Sequence, residues 1–137
     1  MLTKAYLDKL TREVIGAAIE VHKEMGPGLL EKVYHKCMER ELDLRGIKYT
    51  SEQIVPINYK GEDLESDLRA DLLVENCLIV ELKAVLEIKP IFEAQILSYM
   101  KLTKKSKGIL INFTVTNIFK EGQKTFVNEL FRSLPNE

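Results

Sequence analysis

Arg69-Ala70-Asp71-Leu72-Leu73-Val74-Glu75-Asn76-Cys77-Leu78-Ile79-Val80-Glu81-Leu82-Lys83-Ala84 is the stretch on which the fold turns. Two apolar runs bracket a polar break, the texture of a β-hairpin. Successive side chains on a strand alternate faces, so Glu81 and Lys83 project together, roughly 7 Å apart. The register of the hairpin decides what joins them. A two-residue turn, Glu75-Asn76, would set Asp71 against Val80 and place Glu81 on a face with apolar Ala70 and Leu72. A three-residue loop, Glu75-Asn76-Cys77, sets Val74 against Leu78. Ala70, Leu72, Val74, Leu78, Val80, Leu82 and Ala84 then share one apolar face. Asp71, Glu81 and Lys83 share the other, with Asp71 directly opposite Glu81 and Arg69 beside them. The first register buries a carboxylate and the second buries none, a difference of roughly several kcal/mol. The three-residue loop is therefore expected.

Before the hairpin, Leu7, Leu10, Val14, Ala17, Ala18, Val21 and Met25 recur at helical spacing from about Thr3 to Met25. Gly26-Pro27-Gly28 ends that helix. A second helix carries Leu30, Val33, Tyr34, Cys37, Met38 and Leu44 as its stripe and closes at Arg45-Gly46. Strand texture then runs over Tyr49–Tyr59, Leu68–Val74 and Leu78–Val85, and the acidic stretch Glu62, Asp63, Glu65 and Asp67 reads as a solvated loop. Pro90 opens a third helix, Ile91 to about Leu102. A buried strand, Gly108 to Phe113, follows. The tail from Asn117 holds a short strand and then a helix with Phe126, Leu130, Phe131 and Leu134 on one face. The order predicts an α/β chain, a mixed sheet flanked by helices, and 137 residues without repeat or linker predict a single domain over 1–137.

Composition narrows the function classes. Twenty Lys and Arg against 21 Asp and Glu give a net charge of -1, which excludes a globally basic grip on nucleic acid but not a local patch. The longest apolar run, Val14 to Ile19, is far below the roughly 20 residues of a membrane span. The first residues lack the pattern of a secretion signal. Two cysteines, Cys37 and Cys77, form no disulfide framework or metal motif. A cytoplasmic protein is expected, and its small size leaves a dimer or a partner protein open.

Two carboxylates forced side by side repel, and the arrangement wants a cation between them. Hard oxygen ligands favour Mg²⁺, Mn²⁺ or Ca²⁺ over softer metals. An isolated Glu-x-Lys is usually a surface ion pair; the opposed Asp71 and the apolar strand flanks argue for a site instead. Asp71-x9-Glu81-x-Lys83 on a hairpin flanked by helices resembles the PD-(D/E)XK nuclease superfamily, with Ala70 in place of the proline. Gln95-Ile96-Leu97-Ser98-Tyr99 fits the Q-x-x-x-Y element of its exonuclease-like branch. Gly28-Leu29-Leu30-Glu31-Lys32-Val33-Tyr34 fits the G-x-x-E-x-x-Y signature of a small bacterial and archaeal family within it. The similarity runs from about Val14 through Phe113.

The resemblance implies a PD-(D/E)XK nuclease-like core and divalent-metal-dependent phosphodiester hydrolysis of DNA or RNA. Asp71 and Glu81 match the metal-binding acidic pair, with Mg²⁺ or Mn²⁺ as cofactor, and Lys83 matches the catalytic lysine. Glu31 becomes a further metal ligand or an orienting group, although a carboxylate in a first helical turn is also favoured by the helix dipole. Gln95 and Tyr99, four apart on one helix face, orient water or touch the nucleic-acid backbone. Arg69, Lys101, Lys104 and Lys105, with Lys107 close by, are candidate phosphate contacts; cations at a helix C-terminus explain the four lysines equally well. Tyr34 reads as core with a bonded hydroxyl, and His22 as a satisfied structural residue. The competing reading is a non-catalytic nucleic-acid- or protein-binding module that keeps the nuclease fold.

Overall fold

The computed structural model describes all residues, Met1–Glu137. Helix α1, Lys4–Met25, starts at Thr3, whose hydroxyl accepts from the Tyr6 amide at 3.1 Å. It ends at Gly26, whose φ of 72° suits glycine and ends the helix. Its buried stripe is the expected one from Leu7 to Val21, but Met25 lies exposed at the frayed end. Helix α2, Glu31–Leu44, buries Tyr34, Met38 and Leu42. Leu42 thus replaces Leu44 in the stripe, because steps of four from Tyr34 stay on one face whereas Leu44 lies two residues further round. Leu30 precedes the first turn and is likewise exposed.

Strands β1, Tyr49–Ile54, and β2, Ile57–Tyr59, occupy the segment expected as one strand. Val55-Pro56 divides them, since proline cannot donate to a ladder. β2 pairs with β3, Glu62–Leu64, in a small separate hairpin where a loop was expected; the acidic side chains are exposed all the same. Then come β4 (Arg69–Val74), β5 (Leu78–Lys83), α3 (Pro90–Thr103), β6 (Lys107–Asn112), α4 (Ile118–Glu121), β7 (Gln123–Val127) and α5 (Glu129–Arg132). Phe126 therefore lies on a strand and not on the expected tail helix. The free edge of β6 takes up β7 in antiparallel register, and Phe126 is buried there opposite Gly108.

The main sheet has the order β1-β4-β5-β6-β7, antiparallel except for the β5–β6 pair, which α3 joins by a crossover. Helices α1 and α2 cover one face, over Leu72, Val74, Leu78, Val80 and Leu82. α3 covers the other, over Leu73, Ile79 and Leu110. β5 is central and buried on both faces, which is why Leu78-Ile79-Val80 is apolar without alternation. Ala70 departs from expectation: it packs in the α3-side cluster and not with Leu72. Alternation fails between them because Asp71 has no regular ladder partner on either neighbouring strand.

Candidate metal centre

The hairpin adopts the expected register: Leu72, Leu73 and Val74 pair with Val80, Ile79 and Leu78 across a three-residue loop. Glu75 and Asn76 both take left-handed φ, 49° and 56°. Beyond Leu72 and Val80 the ladder gives way to side chains. The Asp71 amide donates to Glu81 Oε1 at 3.1 Å, and the Leu82 amide donates to Asp71 Oδ2 at 2.7 Å. Each carboxylate is thus held by a main-chain donor of the opposite strand, which fixes the two acids face to face. Glu81 is only 4% exposed, so the expectation that this register buries no carboxylate does not hold: α3 covers the face that was expected to be open. Burial, and then the charge of Asp71, push its carboxyl up to about 8; the Asp71 amide and the Lys83 charge pull the other way and are outweighed.

Lys83 forms no ion pair with either acid. Its Nζ sits 4.6 Å from the centre of the Phe92 ring, a cation–π distance, and none of the four ion pairs of the chain includes it. The backbone after it is anchored by buried Asn112, whose amide donates to the Val85 carbonyl at 2.9 Å and accepts from the Val85 and Thr114 amides. Asn112 gave no signal in the sequence, because its partners lie across the β5–β6 register.

Helix α2 brings a second set of groups. The Tyr34 hydroxyl donates to the Gly26 carbonyl at 2.6 Å and accepts from the Leu29 amide at 3.2 Å, while its ring stacks on Phe113 at 4.4 Å. Gly28, Glu31 and Tyr34 therefore form one local device: the tyrosine pins the loop that starts α2, and α2 starts with Glu31. Partial burial and the Asp71 charge raise the Glu31 carboxyl, with Lys83 and His35 opposing. One turn further along α2, His35 approaches Ser51 Oγ at 2.7 Å. Ligand atoms of His35, Glu52 and Asp71 all lie within 4.8 Å of one another. These three line an open cleft of about 690 Å³ together with Glu31, Lys32 and Lys36.

His35 and Glu52 were not among the expected residues. The signal for His35 was its spacing, four residues after Glu31 and hence on one helix face. Glu52 had none, since its place opposite Asp71 follows from the β1–β4 register. Its φ of 54° is rare for a residue with a Cβ, and such outliers concentrate where surrounding structure enforces them.

On the α3 face, Gln95 Nε2 donates to the Tyr99 hydroxyl at 3.0 Å. Burial first, then the charges of Glu81 and Asp71, push that phenol upward, while the Gln95 bond pulls it down, so Tyr99 lies within electrostatic reach of the acid pair. Arg69 is exposed at the start of β4. The lysine run lies elsewhere. Lys107 pairs with Leu78 and Asn112 with Lys83 across the parallel ladder, so the run sits at the opposite end of β5 from Lys83, roughly 17 Å away at strand spacing. Lys107 is buried and bonded to Asp8 at 2.6 Å. The cations brought to the cleft are instead Lys32 and Lys36. His22 donates to or accepts from no acid; its ring meets the Val115 carbonyl at 2.8 Å, as a structural histidine would.

The family model described as PD-(D/E)XK nuclease superfamily matches residues 8–126 of this chain. No curated protein and no solved structure matches it. No helix is long and apolar enough to cross a membrane.

Proposed function

Since the chain belongs to the PD-(D/E)XK nuclease superfamily, we propose that it hydrolyses phosphodiester bonds of DNA or RNA with a divalent cation, Mg²⁺ or Mn²⁺, as cofactor. The observation that carries this reading is the Asp71–Glu81 pair. Two carboxylates are each held by a main-chain amide of the opposite strand, one is pushed up to about 8, and neither forms an ion pair within the protein. A divalent cation fits that donor set, as the unrelieved repulsion would be removed by its charge. Asp71 and Glu81 would hold it, with Glu31 or the neighbouring His35 and Glu52 completing the site. When bound, such a cation lowers the pKa of a water and polarises a phosphate oxygen.

The remaining roles belong to the chain. Lys83 rests over Phe92 outside any ion pair, placed to orient the attacking water and to offset charge on the phosphate. The Gln95–Tyr99 pair presents an amide and a phenol from the α3 side, suited to positioning water or backbone oxygens. Lys32 and Lys36 line the cleft beside Asp71 and would supply phosphate contacts, with exposed Arg69 at the start of β4 as a further candidate; Lys101, Lys104 and Lys105 would meet only nucleic acid that extends past the far end of the sheet. The stapled Gly28-x-x-Glu31-x-x-Tyr34 device supports placing the chain in the G-x-x-E-x-x-Y family, working as one domain in the cytoplasm.

The test is cleavage of labelled single- and double-stranded DNA and RNA by the purified chain in Mn²⁺ or Mg²⁺, beside the Lys83→Met variant. Metal-dependent cleavage lost in the variant supports the proposal. Absence of cleavage together with tight nucleic-acid binding would turn the assignment to the non-catalytic module.

A further inference from the structure

Ser106 Oγ is the one buried side-chain polar atom in the molecule with no hydrogen-bond partner, in a residue 5% exposed. Ser106 is one of the residues that line a cavity of about 250 Å³ at the hairpin-turn end of the sheet, its hydroxyl covered just beneath the cavity wall. Lys104, Lys105 and Asn76 line the same cavity; Leu2 and Leu130 form part of its apolar wall, and no carboxylate contributes. Neither lysine belongs to any of the four ion pairs, whereas Lys107, two residues on, is fully engaged by Asp8. In a chain with more acids than bases, a cavity lined by two lysines outside every ion pair, a serine and an asparagine, with no Asp or Glu among its residues, favours negative charge.

We propose that this cavity is a phosphate-binding site, its oxyanion held by Lys104, Lys105, Asn76 and the Ser106 hydroxyl, and its apolar wall receiving the organic body of a phosphate monoester. Three kinds of donor suit an ion with several acceptor oxygens. A buried hydroxyl left unpaired is unfavourable, so an acceptor delivered by a ligand fits the one gap in the hydrogen bonding of the chain. The site does not depend on the nuclease reading, and either stands without the other.

The experiment is a titration of the full chain in metal-free buffer, followed by amide NMR at Asn76 and Ser106, with inorganic phosphate, adenosine 5′-monophosphate and adenosine as probes. Saturable shifts at these amides are expected from both phosphate-bearing probes, tighter for the monoester, and not from adenosine. Tighter binding by inorganic phosphate would identify free phosphate as the ligand. The Lys104→Met, Lys105→Met double variant should weaken binding about tenfold or more, and Ser106→Ala several-fold. Ser106→Ala removes an unpaired group, so its Tm without phosphate should equal or exceed that of the wild type, which separates lost binding from lost folding. The assignment is overturned by shifts that do not saturate, by shifts that chloride reproduces at equal ionic strength, by adenosine binding as tightly as its monophosphate, or by affinity unchanged in either variant.

Discussion

Lys83 and Lys107 are both lysines of central strands, at opposite ends of one parallel strand pair, and the chain treats them in opposite ways. Lys107 is buried, meets Asp8 at 2.6 Å and lies near the Phe131 ring. Its charge is matched and its place is structural. Lys83 shares its hairpin with two carboxylates yet rests over an aromatic ring, and the acids stay close together with Glu81 buried. Burying like charges side by side opposes folding. The fold pairs its charge at one end of the sheet and leaves an acid pair without an ion-pair partner at the other, and that difference is what the proposed metal site rests on.

The sharpest way to break this contrast is to neutralise one acid. Asp71→Asn retains an oxygen to accept from the Leu82 amide, so the fold should survive in chelator with equal or higher stability. Cleavage should fall by about 10³-fold or more, and added Mg²⁺ should no longer raise the Tm. Denaturant melts in chelator and in Mg²⁺, beside cleavage rates, read both halves. A variant destabilised in chelator with its Mg²⁺ response intact would make the acids a structural ion-pair cluster.

Lys83→Met comes next. It keeps the apolar stem over Phe92 and removes the charge, so the melting temperature should scarcely change while cleavage drops about 10²-fold. Wild-type rates would leave this lysine a bystander.

The third effect is a pH dependence of stability. Glu81 ionises near 4.5 when unperturbed and near 8 in the metal-free fold. The folded state therefore holds this proton more tightly than the unfolded chain. Its contribution to stability is complete below pH 4.5 and is lost as pH rises toward 8, at no more than about 1.4 kcal/mol per pH unit. Relative to wild type, Glu81→Gln should gain stability across that window and level off above it. Urea titrations of the two proteins from pH 5 to 9 in chelator provide the measurement, and parallel curves would contradict the shift.

Lys107→Met supplies the smallest effect and the control. Asp8 is half exposed and can return to water, so the loss of stability should be about 1–2 kcal/mol, below that for a fully buried pair. Cleavage per folded molecule should not change. A larger effect on rate than on the melting temperature would erase the distinction between the two ends.

The hairpin register, the face-to-face acids, the helices from Lys4 and Pro90, and the superfamily were legible in the chain itself. The register follows from local patterning, which keeps Leu72, Val74, Leu78, Val80 and Leu82 on one apolar face, although the premise that it would leave every carboxylate unburied failed at Glu81; proline and glycine mark helix ends wherever they fall. What the chain did not reveal depends on which elements meet. His35 and Glu52 reach Asp71 only because α2 crosses the start of the sheet and β1 pairs with β4 in one register. The lysine run read like a contact near the acids, but α3 spans the length of β5 and delivers it to the far end, where Lys107 is consumed by a helix α1 acid 99 residues away in sequence. Phe126 took a strand because β6 offered an open edge, and Ala70 changed faces because the carboxylates displaced the ladder at Asp71. Local pattern fixes dihedrals and faces over a few residues; long-range pairing alone decides which charges become neighbours, and with them the completed site.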